Sequence, residues 1–121
     1  MSTQPMDQNN FEILIAEHPL VFVDFWAHWC VPCKSFFPIY EQVASENPDL
    51  LFATVSLEKE SQLAKDFNVL SIPHVMVFKE GIAIFSESGL LPLSALRDLV
   101  IQAKKADVSK IKAAIADGEQ S

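Results

Sequence analysis

The chain is predicted to be α/β, with a central mixed sheet of four to five strands flanked by helices. Three observations predict this. Strand-like and helix-like apolar patterns alternate through its first half, which calls for parallel pairing through right-handed crossovers. Two short β-rich runs then meet at Glu80-Gly81, which calls for an antiparallel hairpin. Half of the 121 residues are apolar, enough to bury the core of one domain.

The elements follow in order. Asn10 to Glu17 carries Phe11, Ile13, Leu14 and Ile15 at roughly helical spacing, and His18-Pro19 stops it. Leu20 to Trp26 (LVFVDFW) is a nearly continuous apolar, β-branched and aromatic run, the pattern of a central strand covered on both faces. From Cys33 to Glu46 apolar residues recur with helical period, Asn47-Pro48 ends the run, and Pro38 inside it predicts a kink. Leu50 to Leu57 reads as a second buried strand and Lys59 to Phe67 as a short helix. After Pro73, Val75 to Lys79 and Ile82 to Ser86 form the hairpin, with Gly81 supplying a backbone angle that other residues resist. Pro92 leads into a helix whose inner face is Leu93, Leu96, Val100 and Ala103. Val108, Ile111 and Ile115 mark either a further helix or a continuation of that one. Met1 to Asp7 lacks a convincing strand pattern, so a fifth strand would be frail and lie at the amino end. Residues 1–105 are expected to form the domain, and 106–121 a helical extension or tail.

Composition narrows the function. The formal net charge of −7 opposes polyanions, so neither nucleic acid nor an acidic membrane surface is expected as a partner. No apolar run approaches the length of a membrane span. Met1 to Asn10 is polar and carries no basic residue, which predicts a cytoplasmic protein. The acidic surface predicts a monomer. No cofactor is expected.

The two cysteines, Cys30 and Cys33, stand two residues apart where a buried strand hands over to a helix. Unsatisfied N–H groups and the positive end of the helix dipole favour a thiolate there, so Cys30 is expected to expose an easily ionised sulfur. Cys33, one turn on, points toward the core and can resolve a mixed disulfide. Pro32 suits the first helical turn and stiffens the loop. The pair could also be half of a zinc site, but zinc needs four ligands and only His18, His28 and His74 are available to complete it. A structural bridge fits poorly with a reducing compartment. Redox chemistry is favoured over both, with no metal.

Trp26-Ala27-His28-Trp29-Cys30-Val31-Pro32-Cys33-Lys34 resembles the thioredoxin family, whose usual motif is WAxWCGPCK. Val23-Asp24-Phe25, Pro38, Ser71-Ile72-Pro73 and Phe78-Lys79-Glu80-Gly81 also stand at family-like places, so the likeness spans about Phe11 to Lys104. It implies the thioredoxin fold and a thiol–disulfide oxidoreductase that reduces protein disulfides and is recharged by a separate enzyme such as a thioredoxin reductase. It also implies that Asp24 is a buried carboxylate beneath Cys33 acting as its general base, and that Pro73 is a cis-proline opposite the disulfide. Ile72 would pair its backbone with an extended substrate, Trp29 would form an apolar lip, and Gly89 would line the groove. The competing function is a binding or chaperone-like module in which the thiols are secondary.

Three departures bear on activity. Val31 replaces the usual glycine and is expected to restrict the loop and shield the sulfur. His74 follows Pro73 where threonine is common, and either His74 or His28 could stabilise the Cys30 thiolate. Thr54 occupies a place where thioredoxins often carry a lysine, so Asp24 is expected to lack a cation and hold its proton more tightly.

Overall fold

The apolar run Leu20–Trp26 forms β2, the middle strand of a five-stranded sheet. Its first six residues are buried, as expected of a strand covered on both faces. The computed structural model describes residues 2–120. In chain order the elements are β1 (Gln4–Pro5), α1 (Phe11–Glu17), β2, α2 (Val31–Glu46), β3 (Leu51–Ser56), α3 (Ser61–Asp66), β4 (His74–Lys79), β5 (Ile82–Ser88), α4 (Leu93–Lys105) and α5 (Ser109–Gln120). The strand order is β1-β3-β2-β4-β5. Both pairings of β3 are parallel, and β2 with β4 and β4 with β5 are antiparallel, which makes the sheet mixed.

The fifth strand at the amino end is two residues long and pairs only through Gln4 and Pro5. Pro5 has no N–H for a ladder, and β1 lies at the sheet edge, where proline is tolerated. The hairpin is longer than its sequence pattern: β4 begins one residue earlier, at His74, and β5 runs to Ser88. The polar residues Glu87 and Ser88 hid this end, since an edge strand need not alternate cleanly. Glu80 and Gly81 both have positive φ, 51° and 82°, the two-residue turn that suits a twisted hairpin.

The sheet separates two layers of core. Leu14 of α1 and Leu63 of α3 pack with Val21, Val23, Phe25 and Met76. On the other face, Phe36, Tyr40 and Val43 of α2 and Leu96 and Val100 of α4 pack with Phe22, Phe52 and Val75. Phe22 and Phe52 stack with centroids 4.7 Å apart, and the Tyr40 hydroxyl donates to the Ala53 carbonyl at 2.7 Å. That last bond ties α2 to the sheet and so fixes the helix whose amino end carries the cysteines. α2 runs through Pro38 without ending.

The carboxyl-terminal stretch forms a separate helix. α4 ends at Lys105, Val108 is buried, and α5 starts at Ser109. The Lys79 ammonium donates to the carbonyls of Ala103 (2.9 Å), Lys104 (2.9 Å) and Ala106 (2.5 Å), satisfying the groups the end of α4 leaves unpaired. Lys112 of α5 pairs with Glu80 of the hairpin at 2.9 Å.

Candidate active site

β2 aims the chain at the amino end of α2, and Cys30 is the residue that caps that helix. Its backbone is extended (φ −90°, ψ 107°), and its Sγ accepts the Cys33 backbone N–H at 3.2 Å. Pro32 falls in the first turn, where an absent N–H costs nothing. Cys30 and Cys33 are joined by a disulfide, with Cα atoms 5.3 Å apart.

Two expectations are corrected. Cys30 was expected to be exposed, yet each cysteine is only 4 % exposed. With the disulfide closed, both residues pack with Ala27, Trp26, Leu57 and Ile72. Val31 was expected to shield the sulfur but stands 70 % exposed, so the cover comes from those packed residues instead. Trp29, the residue before Cys30, is 61 % exposed.

Asp24 is 1 % exposed and sits opposite Thr54 in β3 and Val75 in β4. It lines an apolar cleft of ≈540 Å³ together with Cys33, Trp26, Phe37, Pro38 and Thr54. Neither carboxyl oxygen has a hydrogen-bond partner. Burial alone pushes its pKa up to about 8, with no cation to offset it. Thr54, which stands across from Asp24, contributes no charge, in line with the expected tight hold on the proton.

The two histidines do not gather at the sulfur. His74 pairs in register with Phe25 and lies edge-on to its ring, 6.0 Å between centroids, on the α1/α3 face of the sheet. Its Nε2 is 2.8 Å from the Ser86 hydroxyl, and burial lowers its pKa. Asp24, Cys33 and α2 lie on the opposite face. His28 is exposed; its backbone N–H donates to Glu58 at 2.9 Å and its Nδ1 lies 2.6 Å from the same carboxylate. Each imidazole is therefore engaged elsewhere than at Cys30, because β4 register turns one away and a loop carboxylate holds the other.

The Ile72–Pro73 peptide bond is cis. Ile72 packs on the disulfide, and the Gly89 N–H donates to the Pro73 carbonyl at 2.9 Å, so Pro73 and Gly89 stand side by side. Gly89 has φ +120°, a conformation that residues with a Cβ rarely adopt. Leu57 and Glu58 were not anticipated as neighbours of the motif. They belong to the loop after β3, whose parallel pairing with β2 brings it level with Trp26: the Leu57 N–H donates to the Trp26 carbonyl at 2.8 Å. Among the described residues, no three His, Cys, Asp or Glu side chains converge as metal ligands, and no helix is long and apolar enough to cross a membrane.

Comparison with known proteins agrees with this geometry. The thioredoxin family model matches residues 2–102. A putative thioredoxin 2 of Streptomyces coelicolor is 41% identical over 116 residues, covering 96% of this chain and 87% of the relative. A thioredoxin of Chlamydia pneumoniae is 35% identical over 95 residues, covering 78% and 92%. Among solved structures, a thioredoxin of Plasmodium falciparum superposes with a TM-score of 0.77 at 31% identity, covering 83% of this chain and 98% of that one. A fold, a helix-capping disulfide and a match over most of the chain thus agree, and the chain belongs to the thioredoxin family of thiol–disulfide oxidoreductases.

Proposed function

We propose that the chain reduces disulfides in other proteins through the Cys30/Cys33 dithiol. The observation that carries this reading is the Cys30 sulfur capping α2 and accepting the Cys33 N–H, an arrangement that stabilises a thiolate once the disulfide is opened. The Cys30 thiolate attacks one sulfur of a substrate disulfide, forming a mixed disulfide and releasing the other substrate sulfur as a thiolate. Cys33 then loses its proton and attacks Cys30, so the second substrate thiol leaves and the Cys30–Cys33 bond forms. Two electrons pass from this chain to the substrate. A separate dithiol enzyme of the thioredoxin reductase type returns them.

Asp24 serves Cys33 in both directions. Held protonated near neutral pH, it gives its proton to the Cys33 sulfur when the disulfide is reduced, and takes one back when Cys33 becomes a nucleophile. Trp29, Ile72, Pro73 and Gly89 form the groove for the substrate segment, whose backbone pairs with Ile72. His74 follows Pro73 in the chain, and its side chain turns to the far face of the sheet. The working state is a dithiol, which suits a reducing compartment such as the cytoplasm, and the chain acts there as a monomer.

Residues 1–105 hold all of these groups, and 106–121 are an extension. Removing residues 109–121 should leave turnover unchanged. Insulin disulfide reduction, with a dithiol as electron source, tests the reading itself. Wild type should reduce insulin, Cys30→Ser should be inactive, and Cys33→Ser should accumulate a mixed disulfide visible by mass. Equal rates for wild type and Cys30→Ser would leave only the binding-module alternative.

A further inference from the structure

The ≈540 Å³ cleft behind the disulfide has the size of a small-molecule site. It shares no lining residue with the trough beside Trp29, which runs past Leu57, Leu70 and Ile72. Its walls are apolar, built from Trp26, Phe37 and Pro38, and Asp24 lies at its floor. Both Asp24 oxygens are buried with no hydrogen-bond partner, which is costly for a polar group and marks a place where a donor is missing.

The nearest candidates do not supply that donor. Thr54 stands directly across from Asp24, lines the same cleft and makes no bond to it. Lys34 also lines the cleft, but its side chain is exposed and its charge stays in water. The chemistry of an occupant follows. An anion would oppose ionisation of Asp24 and bring acceptors rather than the missing donor, and a hydrocarbon would leave both oxygens unpaired. A cation bearing N–H groups would satisfy them with charge-assisted bonds while its body fills the apolar walls.

We propose that this cleft is a binding site for a small organic cation with an apolar body, an amine or amidine, whose N–H groups pair with Asp24. On binding, Asp24 releases its proton to solvent and the ion pair replaces the neutral acid. An occupant would also compete with Cys33 for Asp24 and slow turnover; that consequence rests on the dithiol mechanism above, whereas the binding itself does not.

Benzamidine titrated into the full-length oxidised protein tests the proposal, read by the ¹³C shift of the Asp24 carboxyl and the indole N–H signal of Trp26. Both signals should move together and saturate, and the neutral isostere benzamide should bind more weakly. Asp24→Asn removes the acceptor charge, and Thr54→Lys places an ammonium across from Asp24. Each should weaken benzamidine by about tenfold or more, the worth of one charge-assisted hydrogen bond. Thr54→Val, which leaves the carboxyl unpaired, should bind like wild type. Signals that do not saturate, or equal affinity in wild type, Asp24→Asn and Thr54→Lys, would overturn it.

Discussion

Asp24 and His74 are the two buried polar side chains of the sheet interior, and they stand on opposite faces one strand apart. His74 is anchored at one nitrogen: its Nε2 meets the Ser86 hydroxyl at 2.8 Å and its ring leans on Phe25, while its buried Nδ1 has no hydrogen-bond partner. Asp24 has nothing, and its burial is answered only by holding a proton. A buried group with a partner contributes to stability, because its desolvation is offset by the bond. A buried group without one costs stability, and a fold that retains it does so for chemistry. The face of the sheet that carries Cys33 is also the face that carries the unsatisfied acid.

The two groups should tilt stability with pH in opposite directions, and the larger tilt belongs to Asp24. Its folded pKa, about 8, lies above the ordinary value of 3.8, so the native state binds the extra proton between those values. Stability from this group is full below about pH 4, falls as pH rises through that window, and is flat above it. The distance between those two values corresponds to an upper bound on the order of 5 kcal/mol. Asp24→Asn removes the titrating group, so in urea unfolding the variant should exceed wild type by several kcal/mol at about pH 9 and by much less near pH 5. A constant gap between the two proteins across that range would mean that Asp24 is not buried as a lone acid. The same variant should slow re-reduction of the disulfide by roughly a hundredfold, the usual worth of a positioned acid.

His74 should give the opposite slope and a smaller one. Burial lowers its folded pKa below the ordinary 6.5, so the unfolded chain binds the extra proton as pH falls past that range. Its contribution is present above the ordinary imidazole range and is lost on acidification. His74→Thr should flatten the acid limb of the unfolding curve, cost about 1 kcal/mol near neutral pH and change insulin turnover by less than about twofold. A large fall in turnover would show that His74 acts on Cys30 after all, and would erase the contrast between the two faces.

How far each of these residues was legible in the sequence follows from the range of the interactions that place it. Asp24 between Val23 and Phe25 announced itself, because a charge inside a run covered on both faces has no solvent to turn to. Cys30, Pro32 and Cys33 were legible for a similar reason: strand end, helix cap and spacing are local. The face on which His74 points was not, since it depends on the antiparallel register with β2, and a shift of one residue would have turned it toward Asp24. Leu57 and Glu58 are brought to the motif by the parallel β2–β3 pairing, Glu58 meeting His28 across 30 residues of sequence. The burial of Cys30 was hidden as well, because the residues that cover it, Leu57 and Ile72, arrive from two other loops. The frail β1 was visible only as an absence of pattern, its two residues being held by β3 rather than by any periodicity of their own.

The finest test makes His74 resemble Asp24. Ser86→Ala deletes the hydroxyl that meets Nε2 and leaves the imidazole without its side-chain partner. The ring borders a cleft of ≈380 Å³ that also touches Asn68, Ser71 and Ser88, so water can replace the lost oxygen. The cost should therefore be that of one exchanged hydrogen bond, about 0.5–1 kcal/mol in urea unfolding, with turnover unchanged. Asp24 has less recourse, because its cleft is walled largely by Trp26, Phe37 and Pro38, and the Thr54 hydroxyl across from it makes no bond to either oxygen. If Ser86→Ala cost several kcal/mol, the His74 side would be as dry as the Asp24 side, and what sets Asp24 apart would be its being an acid rather than the want of any partner.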